Sequence, residues 1–197
     1  MVDTKRTKND LVTNLFQDGQ PAASITPNDL RDLIVSTAPS VVKTERGIMD
    51  YNDALTAVTP ITLASGVRTK LTNNELGGFT NKTYKPDTVT DLWNASTNRF
   101  DFSELNLGDV LFIRIDVTPT TGGANSEVEL ELDLAIGGSP YTLPVHQGSY
   151  KASGAQSAIA RTFMIYMGDT NTLNNPAELY MTADSASSVI VNGWAIS

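Results

Sequence analysis

Residues 109–136 read DVLFIRIDVTPTTGGANSEVELELDLAI, two runs of strict alternation around a break. In the first run Leu111, Ile113, Ile115 and Val117 fall on one side, and Phe112, Arg114 and Asp116 on the other. In the second, Val128, Leu130, Leu132, Leu134 and Ile136 oppose Glu127, Glu129, Glu131 and Asp133. Side chains on a strand change face at every residue, so each run has one apolar and one mostly polar face. The turn-rich Pro119, Gly122, Gly123 and Asn125 between them cannot continue a strand. The simplest expectation is one long antiparallel hairpin, packed on one face and wet on the other. With Val117 opposite Val128, Ile115 meets Leu130, Ile113 meets Leu132, and Arg114 lies across from Glu131. A slip of one residue would turn the apolar set to water, which holds the register to about one pleat.

The 197 residues suffice for one large all-β domain, or for one domain with an appendage. Charged residues are 18%, fewer than long surface helices would carry. The net charge of −8 disfavours general binding to nucleic acid or to anionic membranes. Cysteine is absent, so no disulfide, thiolate zinc site or cysteine nucleophile is expected. The amino terminus, MVDTKRTKND, has no apolar signal-peptide core, and no run of about 18 apolar residues occurs to insert into a membrane.

Two short helices are expected before residue 47. Residues 9–16 place Leu11, Val12, Leu15 and Phe16 on one face, with Gly19 as a stop. Thr26-Pro27-Asn28-Asp29 then starts a second helix: Thr26 caps, Pro27 supplies a helical φ, and Asp29 can reach back. Leu30, Leu33 and Ile34 form its apolar stripe, which ends before Pro39. Neither reaches the roughly 12–15 residues at which an isolated helix becomes marginal in water. Each needs a surface to pack on, either as a cap on the main domain or as an anchor in a larger assembly. From Gly47 onward short strands alternate with turns, which suggests a sandwich or barrel over residues 47–197. Strand segments are expected at 47–51, 59–63, 67–71, 87–94, 141–145, 149–152, 158–167, 178–182 and 189–196, with loops at 73–78 and 168–176.

Few residues invite chemistry. His146 is the sole histidine, so a histidine-based metal site lacks partners, and no G-x-S-x-G motif supports a serine nucleophile. Glu129, Glu131 and Asp133 share a strand face; such a ladder either binds a cation, flanks a glycosidic bond, or solvates the sheet against edge aggregation. Asp169, Asn171, Asn174 and Asn175 make an oxygen-rich loop that either holds calcium weakly or forms Asx-turns. Trp93 and Trp194 are expected in the core, the latter at a bend beside Asn192-Gly193. Phe79, Tyr84 and Tyr150 lie in loop-like sequence and are candidates for stacking on sugars. No phosphate loop or dinucleotide fingerprint occurs, and the residues themselves call for no cofactor or enzymatic activity.

The stretch from Asp10 through Leu15-Phe16-Gln17-Asp18 to Ile25-Thr26-Pro27-Asn28-Asp29-Leu30-Arg31-Asp32-Leu33-Ile34 resembles the short "LF-D…IT-DLRDL" module that begins many bacteriophage fibre and virion-appendage proteins. The segments at 107–116, 129–138 and 167–172 look like the trimeric jelly-roll knobs of tailed-phage head or tail fibres. The resemblance implies a mainly β protein, with an N-terminal helical attachment segment at 1–46 and an antiparallel jelly-roll knob at 47–197. It implies a homotrimer in the virion, made in the host cytoplasm, with no enzymatic residues to carry over. Leu11, Leu15, Phe16, Leu30, Leu33 and Ile34 would face capsid or tail proteins. Because anchor and knob follow each other without a shaft, a short head fibre or capsid decoration protein is expected. The alternative is a tail-fibre tip that recognises host-surface glycans.

Overall fold

In the computed structural model, residues 47–197 are described. The two expected helices, and Leu11, Leu15, Phe16, Leu30, Leu33 and Ile34 with them, lie outside the described residues. The described part is mainly β and wholly antiparallel in its sheets. Its elements are β1 (Ile48–Asn52), α1 (Leu55–Val58), β2 (Ile61–Leu63), β3 (Thr69–Lys70), β4 (Asn81–Tyr84), β5 (Trp93–Asn94), β6 (Arg99–Phe100), β7 (Val110–Thr120), β8 (Ser126–Leu134), β9 (Tyr141–Tyr150), β10 (Ile159–Tyr166), α2 (Thr170–Asn174), β11 (Glu178–Ala183) and β12 (Ser187–Ile196). One sheet runs β10-β7-β12-β1-β4, with β2 also paired to β12; a second runs β3-β11-β8-β9. β5 and β6 form a small separate ribbon.

The two alternating runs become β7 and β8, with the expected faces. Ile113, Ile115, Val117, Val128, Leu130 and Leu132 are all fully buried in one core. The hairpin is wrong, however. β7 pairs with β10 and β12, whereas β8 pairs with β11 and β9, so the chain crosses from one sheet to the other at residues 121–125. Strands that face each other across a core and strands that lie side by side bury the same alternate residues, so alternation cannot tell them apart. The crossing packs closely on its surroundings. A Cβ at Gly122 would lie 1.7 Å from the Ala186 carbonyl oxygen, and the Thr121 N–H donates to Ala155 at 3.1 Å. Arg114 accordingly bonds Asp116, not Glu131. The expected phase also breaks after Leu134. Ala135 turns left-handed at φ +59° and is buried in place of Ile136.

β8 does form a hairpin, with β9, an edge strand. The two segments expected at 141–145 and 149–152 are thus one strand. It carries a register shift between Leu130 and Glu131, whose partners are His146 and Pro144. An edge holding a proline and a bulge resists pairing with another chain.

The bend at Trp194 is a bulge of this kind inside the sheet. Val191 faces Val117, but Gly193 already faces Asp116, and the extra residue reverses the phase so that Trp194 and Ile196 point inward. Gly193 is required there, since a Cβ would sit 2.3 Å from the Tyr51 carbonyl oxygen. Trp194, Trp93, Phe100 and Phe102 cluster with ring centroids 4.8–6.3 Å apart. Trp93 Nε1–H also donates to the Asn73 carbonyl oxygen at 2.5 Å.

Candidate functional site

The outer face of the larger sheet carries an apolar row. Outward side chains on β7 are Val110, Phe112, Arg114 and Asp116, because Leu111, Ile113, Ile115 and Val117 point inward. Residues directly opposite in antiparallel strands share a face. Met164 of β10 lies opposite Phe112, and Tyr166 opposite Val110. On the other side of Phe112, Ser197 exchanges both backbone hydrogen bonds with it at 2.7 and 2.9 Å. Met49 faces Ile196, which brings Ile48 beside Ser197, and Ile48 faces Tyr84. Tyr84, Ile48, Phe112 and Met164 therefore form one line across the sheet, widened by Val110 and Tyr166. All six are 46–68% exposed. The next row inward along the strands is mostly polar: Asn81, Asp50, Ala195, Arg114 and Thr162.

The outer face of the smaller sheet is built from paired charges. Arg68 reaches Glu131 at 2.7 Å and both carboxylate oxygens of Asp133 at 2.6 and 2.7 Å, and its guanidinium lies 4.0 Å from the Tyr180 ring centroid. Hydrogen bonding to Asp133 raises the Arg68 pKa further, and Asp133 is correspondingly lowered, chiefly by Arg68. Beside them the Glu178 side chain is only 6% exposed. It receives Lys70 at 2.8 Å, Arg99 at 2.5 Å, and the Tyr180 hydroxyl. Burial alone would push the Glu178 carboxyl up; the three donors outweigh it and hold it at about 2. Burial, then the bond to Glu178, lifts the Tyr180 phenol to about 12.

This network engages two of the three ladder carboxylates. Glu131 and Asp133 are bound to Arg68, which leaves neither as a free acid or base beside a sugar, while Glu129 faces Gln147 of β9. The oxygen-rich loop at 168–176 contains α2. Asp169 caps it by accepting from the Thr172 N–H at 2.8 Å, Asn171 bonds Ser139 in both directions, and Asn175 donates to Asn171. Among the described residues no group of three or more acids and histidines is placed to hold a metal ion. His146 Nδ1 lies 3.1 Å from Arg161, and burial followed by that guanidinium lowers its pKa.

Of the three candidate sugar-stacking aromatics, Phe79 is 80% exposed and Tyr84 is exposed, but Tyr150 is buried. Tyr150 ends β9 opposite Ser126, so its ring turns to the core instead of a loop surface. A cleft of about 380 Å³ is lined by Glu75, Asp91, Asp101 and Glu104, among others. Three of its four carboxylates are engaged within the fold, while Glu75 pairs with Lys82 through one oxygen and has the other buried without a partner. Asp91 accepts from Tyr51 at 2.6 Å and pairs with Lys82, Glu104 accepts the Thr90 and Asp91 N–H groups, and Asp101 holds Ser103.

No family model matches the chain, and no curated protein matches it. Among solved structures it is similar to the Eiger TNF of S. frugiperda, with a TM-score of 0.42 and 9% identity over 77% of this chain and 91% of that one. It is similar to PRD1 vertex protein P5, with a TM-score of 0.39 and 14% identity over 76% of this chain and 94% of that one. It is also similar to the CBM22-1–GH10 modules of Clostridium thermocellum xylanase 10B, solved with xylohexaose. There the TM-score is 0.40 and the identity 14%, over 77% of this chain but 28% of that one.

Sequence reasoning passed over the apolar row. Phe112 stood on the polar side of its run and was the signal available; Ile48, Met164 and Tyr166 join it only through strand pairing. Arg68 and Lys70, which neutralise the acids, lie more than 60 residues from Glu131 and Glu178 and carry no local mark.

Proposed function

We propose that this chain is a structural protein of a tailed-phage virion. It is a short trimeric head fibre or capsid decoration protein, held by residues 1–46, with residues 47–197 forming a jelly-roll knob for adhesion to host or environmental surfaces. The observation that carries the reading is the direct succession of an attachment-like stretch and a knob-like strand order. Strands β1, β12, β7 and β10 of one sheet and β3, β11, β8 and β9 of the other follow a four-over-four jelly-roll scheme. The reading assigns no catalysis; two of the ladder carboxylates, Glu131 and Asp133, pair with Arg68. One observation favours the alternative, a tail-fibre tip that binds host glycans: Phe79 presents its ring to solvent on the loop between β3 and β4.

Imaging intact particles with an antibody to residues 47–197 tests both readings. Label over the capsid is the expected result. Label at the tail moves the assignment to the receptor-binding tip. Particles without label overturn the virion reading.

A further inference from the structure

We infer that the apolar row on the larger sheet is where copies of this chain meet, with Phe112 and Met164 at its centre. The inference rests on the trimeric reading above only for the number of copies. Taking roughly 150–250 Å² for a large side chain, the six residues of the strip expose on the order of 600 Å². That equals the upper end of the roughly 300–600 Å² seen for the largest patch on a monomer. It approaches the roughly 800 Å² that each partner buries in a stable complex. The surface is a sheet face, not a groove, and another sheet face fits it best.

Charge leaves this face open to a copy of the same chain. Residues 1–46 hold six Lys or Arg and six Asp or Glu, so the net −8 lies wholly in residues 47–197. The strip contains none of those acids, so two copies can meet there without stacking carboxylates. Arg114 and Asp50 in the adjoining row offer opposite charges at its margin. Placed beside a three-fold axis, the strip of each copy lies next to the strips of the other two, and the ring closes.

The position of the chain start agrees. Residue 47 precedes Ile48, which lies in the row, so copies meeting here bring the starts of their domains together. Three 46-residue stretches would then leave one spot, and linked binding segments gain affinity through effective concentration.

Light scattering after gel filtration of the full chain tests the inference. The expected mass is three times the 21.2 kDa of one chain. Phe112→Glu with Met164→Glu should reduce it to a single copy with an unchanged far-UV spectrum. Val58→Glu, at an 83% exposed position on α1 outside the strip, should leave it at three. Hydroxyl-radical footprinting of the unaltered protein gives an answer independent of any variant. Phe112, Met164 and Tyr166 should be protected, and full reactivity at all three overturns the inference. A purified monomer overturns it too. Assembly that survives the double glutamate variant does the same for this face. Particle labelling decides the virion reading whichever mass is found.

Discussion

The two outer faces of the sandwich resolve their surface chemistry in opposite ways. On the smaller sheet, Glu131, Asp133 and Glu178 are met by Arg68, Lys70 and Arg99 of the same chain. On the larger sheet, Tyr84, Ile48, Phe112 and Met164 line up exposed, with no other described residue covering them. The first face pairs its charges on folding, while the second leaves an apolar row exposed among the described residues. The charges also do mechanical work. β3 has two residues and the β5–β6 ribbon four, too few backbone hydrogen bonds to hold them on the sheet. Lys70 on β3 and Arg99 on β6 both end on Glu178 of β11, so one buried carboxylate ties both pieces down.

Removing that carboxylate should produce the largest loss of stability on this face. Glu178→Gln leaves two cations facing an amide and should cost about 2–3 kcal/mol in a urea titration. A loss no greater than that of an exposed substitution would show that Lys70 and Arg99 simply turn to water. Acid should act through the same group. Its pKa falls from the ordinary 4.5 to about 2 on folding, so its contribution is complete above pH 4.5 and disappears as the pH drops toward 2. The size is on the order of 3 kcal/mol. In Glu178→Gln the urea midpoint should depend less steeply on pH over that window, keeping the part that other lowered carboxylates such as Asp133 supply; an undiminished dependence would place the acid-labile contact elsewhere.

Arg68→Gln comes next. Its fork onto Asp133 is bidentate and about a third exposed, which places it near 1 kcal/mol, toward the upper end for surface pairs. The loss should shrink as salt is added, since screening weakens the pair in the unaltered protein as well. A loss independent of salt would assign the effect to the packing of Arg68 on the Tyr180 ring.

The same division between local and distant information governs what could be read from the chain. Periodicity placed β7, β8, β10, β11 and β12 and their inward residues, because a strand's faces are written in successive positions. It paired β7 with the wrong neighbour, because partner choice depends on contacts such as Gly122 against Ala186 and Gly193 against Tyr51. β4 was missed, as Asn81-Lys82-Thr83-Tyr84 lies at an edge with no buried residue to show its period. α2 was missed because five residues capped by Asp169 read equally well as turns. The apolar row was half legible. Phe112 broke the polar side of its run, but a single exposed aromatic is ordinary until strand order sets others beside it.

Arg114→Gln makes the closest comparison between the faces, and its expected effect is the smallest. Like Arg68, Arg114 is an arginine on a sheet's outer face paired to an aspartate, here Asp116 two positions along the same strand at 3.1 Å. The resemblance stops there. Its side chain is 56% exposed, it has a single carboxylate partner, and no ring lies under it. Coulomb attraction at that exposure barely offsets the entropy of fixing a long side chain, so the loss should be about 0–0.5 kcal/mol. The measurement belongs in a Phe112→Gln, Met164→Gln background, where copies are expected to be apart and no new carboxylate sits beside Arg114. A loss equal to that of Arg68→Gln would erase the distinction between the faces, because it would mean that the larger sheet also settles its charges within one chain. A negligible loss there, together with weaker assembly when Arg114→Gln is placed in the otherwise unaltered protein, would locate the worth of Arg114 between copies.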